Sequence, residues 1–268
     1  MLLKEMHIYI PTLARADKQI TLQSIPKSWL SRTHFVVCKN EVEEYKKKHD
    51  VDVMSVAELG TAPARQHIID NAHGKYVLML DDDMTFSFRK EEGNIKLTRC
   101  TEKDIMDMFQ LLYSWLEEGF VHVGVSQRGG NNYVLEEYKE NTRMNNAYAY
   151  NVEEFRKTPA KFRLTGMEDF DVTLTLLEQG LSNRVTYKYC WDQKGSGTEG
   201  GCSVYRTYQM QKKVAHKLYK LHPNLVRIVS KESKTGWKSL GSTQRIDVDV
   251  LWHKVKLYTT PNLSRWRK

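Results

Sequence analysis

The feature that most constrains this chain is a short apolar run closed by three carboxylates, Tyr76-Val77-Leu78-Met79-Leu80-Asp81-Asp82-Asp83. An uninterrupted apolar run of this length suits a strand buried on both faces, as in a parallel sheet; a half-exposed strand would alternate. Adjacent carboxylates repel one another unless a cation neutralises them. Oxygen ligands at this density suit Mg²⁺ or Mn²⁺, which bridge to the phosphates of a nucleotide. The plainer reading of Asp81 to Asp83 is a turn between strands, where Asp is common.

The rest of the first half fits such a sheet. His7 to Ile10, Thr33 to Cys38 and Val51 to Val56 read as strands, with helical patterns at Asn40 to His49 and Ala62 to Ala72. Gly74 stands where a helix C-cap is expected. Strands alternating with helices imply βαβ units, and ligands then bind at the carboxyl ends of the strands. Beyond Asp83, Met84 to Arg89 reads as a strand and Lys90 to Arg99 as a polar loop. Thr101 to Glu118 predicts a helix: Thr101 caps, Asp104 is third, and Ile105, Met108, Phe109, Leu112 and Leu116 form one stripe. Val121 to Ser126, Ala147 to Val152 and Val185 to Trp191 have strand character, and Asp169 to Gln179 is helical. Arg128 to Asn146, polar and glycine-containing, predicts a mobile surface segment.

With 268 residues, 40% hydrophobic and 28% charged, the chain can bury a substantial core. No apolar run approaches the roughly 18 residues of a membrane span. MLLKEMHIYIPT turns polar too soon for a secretory signal. Cys38, Cys100, Cys190 and Cys202 are scattered without a C-x-x-C pair, which points to reduced thiols in the cytoplasm and to no zinc site.

Three further segments bear on the acids. Pro11-Thr12-Leu13-Ala14-Arg15 follows the first strand, and Ala64-Arg65-Gln66 lies upstream of Asp81. Gly166-Met167-Glu168-Asp169-Phe170-Asp171 opens a helix whose Val172, Leu174, Leu176 and Leu177 are apolar. Acids in a first helical turn are stabilised by the macrodipole, so capping alone would account for them. Together the segments resemble the GT-A glycosyltransferases, which carry a D-x-D motif after a central strand, an A-R-N-like signature before it and an E-D-x-D segment downstream. The resemblance implies an α/β fold of the GT-A, Rossmann-like type, with a mixed sheet and helices on both faces. It also implies a nucleotide-sugar donor, a UDP-sugar first, and Mn²⁺ or Mg²⁺ as cofactor. Pro11, Thr12, Arg15, Arg65, Asp81 and Asp82 would line the nucleotide-sugar pocket, and Asp81 and Asp83 would hold the metal. Asp169 would be the general base that inverting members need, because a hydroxyl is a poor nucleophile at neutral pH, with Glu168 in support. Gln66 departs from the Asn of the signature, and Asp192, His216 and His222 stay open as a late metal ligand.

Charge is unevenly spread along the chain, whose net value is +8. Gly201 to Lys268 holds fifteen Lys or Arg against three acids, leaving 26 basic and 30 acidic residues before it. Such asymmetry suits a polyanionic partner, or simply a solvated basic face. Gly195 to Cys202 reads as a loop, either a connector or a phosphate cradle using Gly200 and Gly201. Val204 to Leu221 predicts a helix with Arg206, Lys213, Lys217 and Lys220 on one face and Val204, Tyr208, Ala215 and Leu218 opposite. Further on, Lys234, Trp237, Lys238, Arg265, Trp266 and Arg267 mix bases with aromatics, a composition suited to phosphate contacts and stacking.

The D-D-D strand, Ala147-Tyr-Ala-Tyr-Asn151, E-D-F-D and the G-G-C loop before Arg206 resemble one GT-A branch, the TET/JBP-associated glycosyltransferases. Its phage-encoded members are credited with placing sugars on 5-hydroxymethylated pyrimidines in DNA. The resemblance implies DNA containing 5-hydroxymethylcytosine or 5-hydroxymethyluracil as partner, cradled by Arg206, Lys213, Lys217 and Lys220. Residues 1–202 would form the catalytic core and 203–268 a basic C-terminal extension packed on it. Three alternatives stay open: a polysaccharide, protein or lipid acceptor; nucleotidyl transfer; and nucleic-acid binding on a degenerate transferase fold. No membrane association is expected.

Overall fold

The computed structural model describes residues 5–90, 95–193, 207–232 and 244–258. Strands β1 (Met6–Pro11), β2 (Thr33–Cys38), β3 (Asp52–Val56) and β4 (Tyr76–Leu80) are parallel, in the order β3-β2-β1-β4. Helices α2 (Val42–Lys48) and α3 (Thr61–Asn71) are two of the crossovers that parallel pairing requires. All five residues of β4 are buried, which is why its sequence does not alternate. A short α1 (Ile20–Ser24) follows β1.

The second half adds β5 (Met84–Arg89), β6 (Leu97–Arg99), β7 (His122–Gln127), β8 (Tyr138–Glu140), β9 (Ala147–Asn151) and β10 (Asn183–Gln193). The sheet continues from β4 as β9-β7-β10-β5-β6, with β8 paired to β10. Because β9 is antiparallel to both β4 and β7, the sheet is mixed and β4, β7 and β10 end at the same edge. Against β7, β10 slips register between Thr186 and Cys190, an irregularity that bends the strand. Its far end, Asp192 and Gln193, thereby pairs with Thr85 and Met84, directly after the three aspartates.

Helices cover both faces. On one, α4 (Glu102–Glu117) buries Ile105, Met108, Phe109, Leu112 and Leu116 against Ile8, Ile10, Leu78 and Leu80. The expected capping box of Thr101 and Asp104 is present. On the other face α3, α6 (Val152–Arg156) and α7 (Glu168–Glu178) pack on Val36, Val77 and Met79. Helix α7 has a second apolar side. Leu174 and Leu177 pack against Val214, Ala215 and Leu218 of α8 (Tyr208–Leu221) and against the hairpin β11 (Val226–Glu232) and β12 (Gln244–Val250), which α9 (Trp252–Tyr258) follows. Burial of one such Leu or Val is worth about 1.5–3 kcal/mol, so the contact is a real interface.

Several expectations need correction. Arg128 to Asn146 is an anchored segment. It contains α5 (Arg128–Asn131) and β8, and Asn131 is fully buried. Buried Arg89 donates to Asn131 Oδ1 at 2.9 and 3.1 Å and to the carbonyls of Asn131, Val134 and Leu135 at 2.7, 2.5 and 3.2 Å. A buried guanidinium must find acceptors, and the backbone of this segment supplies them. Leu97 to Arg99 is strand β6, where a loop was expected. Gly74 is no C-cap, since α3 ends at Asn71 and Ala72 takes that position. Gly74 is required because its φ is 80° and a Cβ there would lie 2.6 Å from the Glu5 carbonyl. The described part of the basic helix begins at Tyr208, capped by Thr207, whose Oγ1 accepts from Met210 N–H at 3.1 Å. Val204, Lys234, Trp237, Lys238, Arg265, Trp266 and Arg267 lie outside the described residues, as does Cys202. Cys38, Cys100 and Cys190 are free thiols. No described helix is long and apolar enough to cross a membrane.

Candidate active site

Strand β4 delivers Asp81, Asp82 and Asp83 to the carboxyl edge of the sheet, and the chain turns at once into β5. Fully buried Thr21 of α1 stitches this turn. Its N–H donates to the Asp82 carbonyl at 3.0 Å, and its hydroxyl donates to the Asp81 carbonyl and accepts from Met84 N–H at 2.9 Å.

Asp82 is the inner acid, only 4% exposed. One oxygen accepts from Thr12 Oγ1 at 2.5 Å and the other from Arg15 Nη1 at 2.6 Å. Since the Thr12 proton goes to Asp82, Tyr45 donates its own to Thr12 at 2.9 Å and accepts from Arg15 N–H at 3.3 Å. Burial pushes the Asp82 carboxyl up to about 6, against the pull of Arg15 and Thr12. Asp82 therefore fastens the loop that follows Pro11. Asp83 shares Arg15 Nη1 at 3.0 Å and is raised by burial and then by the charge of Asp81.

Asp81 accepts from Arg65 Nη2 at 2.7 Å and from Asn146 Nδ2 at 2.6 Å. Asn146 also donates to Gln193 Oε1 at 3.1 Å, so the bent end of β10 closes on the acids. Arg65, buried on α3 and lying over the Tyr148 ring at 5.2 Å, gives its other terminal nitrogen to Glu168. It thus joins the end of β4 to the head of α7. Burial raises the Glu168 carboxyl although Arg65 opposes this. Asp169 has one hydrogen bond among the described residues, a 3.4 Å contact from Arg143 Nη2, whose guanidinium lies 4.3 Å from the Phe170 ring. Of the four non-glycine residues with positive φ among the described residues, three are here: Ala14 at 53°, Asn146 at 61° and Met167 at 57°. Strained backbone of this kind gathers at functional sites.

Asp81 and Asp83 offer hard oxygen donors, and the rise of Asp83, due first to burial, includes a repulsion from Asp81 that a cation would relieve. Among the described residues no three side chains are grouped to hold a metal. Two carboxylates still fit Mg²⁺ or Mn²⁺, which commonly take their other ligands from water and phosphate. Of the late ligands left open, His222 has both ring nitrogens bonded elsewhere, to Glu178 and Asp171. His216 is exposed on α8, its Nδ1 2.8 Å from the Lys212 carbonyl. Asp192 pairs through its backbone with Thr85, two residues after Asp83, and its carboxylate meets Arg128 Nη1 at 3.4 Å. Lys213, Lys217 and Lys220 are all exposed on α8, whereas Gly200, Gly201 and Arg206 lie outside the described residues. Sequence reasoning missed Thr21, Tyr45, Arg143 and Asn146; each reaches the site from an element remote in the chain, which no local pattern signals.

Comparison with known proteins bears on the family and the fold. The model of the TET-Associated Glycosyltransferase family matches residues 6–201. No curated protein matches the chain. Among solved structures, S. aureus TarS 1-349 in complex with UDP-GlcNAc is similar at 16% identity and a TM-score of 0.50, covering 80% of this chain; the chain spans 66% of that structure. Glucosyl-3-phosphoglycerate synthase from Mycobacterium tuberculosis in complex with Mg²⁺ and UDP is similar at 13% identity and a TM-score of 0.51, over 84% of this chain and 83% of that one. The same synthase with Mn²⁺, UDP and phosphoglyceric acid matches at 14% identity and 0.51, over 91% and 86%. At these identities the likeness establishes a shared fold, with the mixed sheet described above.

Proposed function

This chain belongs to the TET-associated glycosyltransferase family, and on that premise we propose that it moves a sugar from a UDP-sugar to the hydroxymethyl group of 5-hydroxymethylcytosine or 5-hydroxymethyluracil in DNA, with inversion. The observation that carries the reading is Arg65, whose two ion pairs join Asp81 to Glu168, so that donor-side acids and Asp169 form one site. The solved structures with UDP-GlcNAc and with UDP and Mg²⁺ support the donor class and the cation.

In this reading Pro11, Thr12, Arg15 and Arg65 line the nucleotide pocket, and Gly200 and Gly201 belong to it. Asp81 and Asp83 hold Mn²⁺ or Mg²⁺, which when bound would offset the charge of the departing diphosphate. Asp169 takes the proton of the acceptor hydroxymethyl group. The freed oxygen attacks the anomeric carbon opposite the diphosphate, the bond between that carbon and the phosphate oxygen breaks, and UDP leaves. A base of this kind contributes about 10²–10⁴-fold. Glu168, buried against Arg65, holds the two halves of the site together. Lys213, Lys217 and Lys220 of α8, with Arg206, supply a cationic surface for the DNA. In this reading the enzyme acts in the cytoplasm, that of a host cell for a phage-encoded enzyme.

The test is a panel of nucleotide sugars incubated with Mn²⁺ and DNA containing either modified base, read by nucleoside mass spectrometry. A hexose or pentose mass on the modified base, and none on unmodified DNA, is expected. Donor hydrolysis with unchanged DNA would move the acceptor to another class and leave the transferase standing. Release of pyrophosphate would instead mean nucleotidyl transfer.

A further inference from the structure

Just after α8 ends at Leu221, His222 is buried against α7, 1% exposed. Its Nδ1 lies 2.8 Å from Glu178 Oε2 and its Nε2 2.9 Å from Asp171 Oδ1. Ionised carboxylates only accept, so both ring nitrogens donate and the ring is an imidazolium. Asp171, fully buried, also receives Arg163 Nε at 2.8 Å on Oδ2 and Arg163 Nη2 at 3.0 Å on Oδ1. The ring itself is firmly mounted, because the His222 carbonyl accepts from Leu225 and Val226 N–H at 3.1 and 3.0 Å in the turn into β11. One side chain therefore ties the unit of α8, β11 and β12 to both the first and the last turn of α7.

The transfer chemistry uses neither His222 nor Asp171, yet Asp171 stands two residues beyond Asp169 in the same helical turn. That turn is entered through Gly166 and Met167, both at positive φ, an uncommon backbone that persists where the surrounding structure holds it. Packing alone does not ask for a histidine here, since replacing buried ion clusters by apolar groups is often neutral or stabilising. What a doubly bonded imidazolium adds is direction. We propose that His222 is a positioning residue: gripping Asp171 and Glu178 from the C-terminal unit, it sets the orientation of the first turn of α7 and hence the place of Asp169. The C-terminal unit is then part of the active site's scaffold. The inference rests on the reading of Asp169 as the base.

The experiment uses the full chain with 4-fluorophenylalanine at Phe170, the residue between Asp169 and Asp171, and compares wild type with His222→Phe and His222→Gln. Three quantities are read: the ¹⁹F shift, UDP affinity in Mn²⁺, and kcat and KM for turnover of the donor, by transfer or by hydrolysis. In His222→Phe the Phe170 signal should move, UDP affinity should stay within about twofold, and kcat should fall by between about tenfold and 10²-fold at constant donor KM. His222→Gln, keeping one donor, should recover part of the loss. If His222→Phe does not fold, Glu178→Gln, at a partly exposed position, takes its place with the same expectations. An unmoved Phe170 signal, or a moved one with wild-type kcat, overturns the proposal. Failure of the DNA acceptor is visible separately, as absent transfer by the wild type.

Discussion

Asp81, Asp82 and Asp83 are adjacent in sequence and meet different neighbours. Asp82 commits both oxygens to Thr12 and Arg15, while Asp83 meets Arg15 through one oxygen and Asp81 meets Arg65 and Asn146. Removal of the inner and outer acids should therefore separate. Asp82→Ala leaves buried Thr12 without its acceptor, while Arg15 keeps Asp83, and should lower stability by about 1–3 kcal/mol. Asp83→Ala should leave the melting temperature unchanged and abolish the Mn²⁺ dependence of UDP binding. Asp169→Asn should bind UDP normally and transfer at least about 10²-fold more slowly. Calorimetry and initial rates on the three variants decide this; Mn²⁺-dependent UDP binding retained by Asp83→Ala would remove the metal assignment. The acids and Arg65 were legible beforehand because they sit in short, chemically unusual strings. Asn146 was not: its bond to Asp81 spans 65 positions, and nothing in the polar run around it marks that residue.

Elements whose signals are local were read nearly to the residue. Strands β2 and β4 have the expected bounds, and α4 follows from its cap and its stripe. The segment holding α5 was misread because its anchor, Arg89, lies 42 positions upstream, whereas β12 was passed over although Ile246, Val248 and Val250 alternate with Asp247 and Asp249. Two buried histidines show how packing of elements becomes pH dependence, with opposite signs. His122 of β7 bonds the Leu181 carbonyl at 2.9 Å, and burial holds its pKa down at about 4. Below the unfolded value of about 6.5 the unfolded chain binds a proton that the folded chain refuses. Stability present above that value should thus be lost as pH falls toward 4, by an amount on the order of 3 kcal/mol. At His222 burial lowers the pKa, but the bonds to Asp171 and Glu178 outweigh it and the net shift is upward. Its contribution is complete below about 6.5 and disappears as pH rises through the folded value. Melting curves from acid to alkaline pH should show both limbs. His122→Asn should flatten the limb between about 6.5 and about 4 and His222→Gln the alkaline one; a slope unchanged in either variant would refute that assignment.

At the scale of the whole molecule, the fold is shared with enzymes at 13–16% identity, so the acceptor must be argued from what this chain adds. A signal of this chain's own is charge polarity: fifteen bases against three acids from Gly201 onward, on a body whose remaining residues are mildly acidic. Helix α8 turns Val214, Ala215 and Leu218 inward and leaves Lys212, Lys213, Lys217 and Lys220 exposed. Apolar burial on one side thereby holds a row of cations rigidly on the other, which costs less ordering entropy on binding than a flexible tail would. Such a face suits a polyphosphate, and duplex DNA releases counterions as each phosphate is neutralised. The double variant Lys213→Glu, Lys217→Glu should therefore bind DNA more weakly and should flatten the slope of log K against log salt by about 2. Its UDP affinity should be unchanged, because neither lysine belongs to the donor pocket. Fluorescence anisotropy across a salt series measures both the affinity and the slope. If both match the wild type, α8 is not the cradle, and the acceptor reaches Asp169 along another surface.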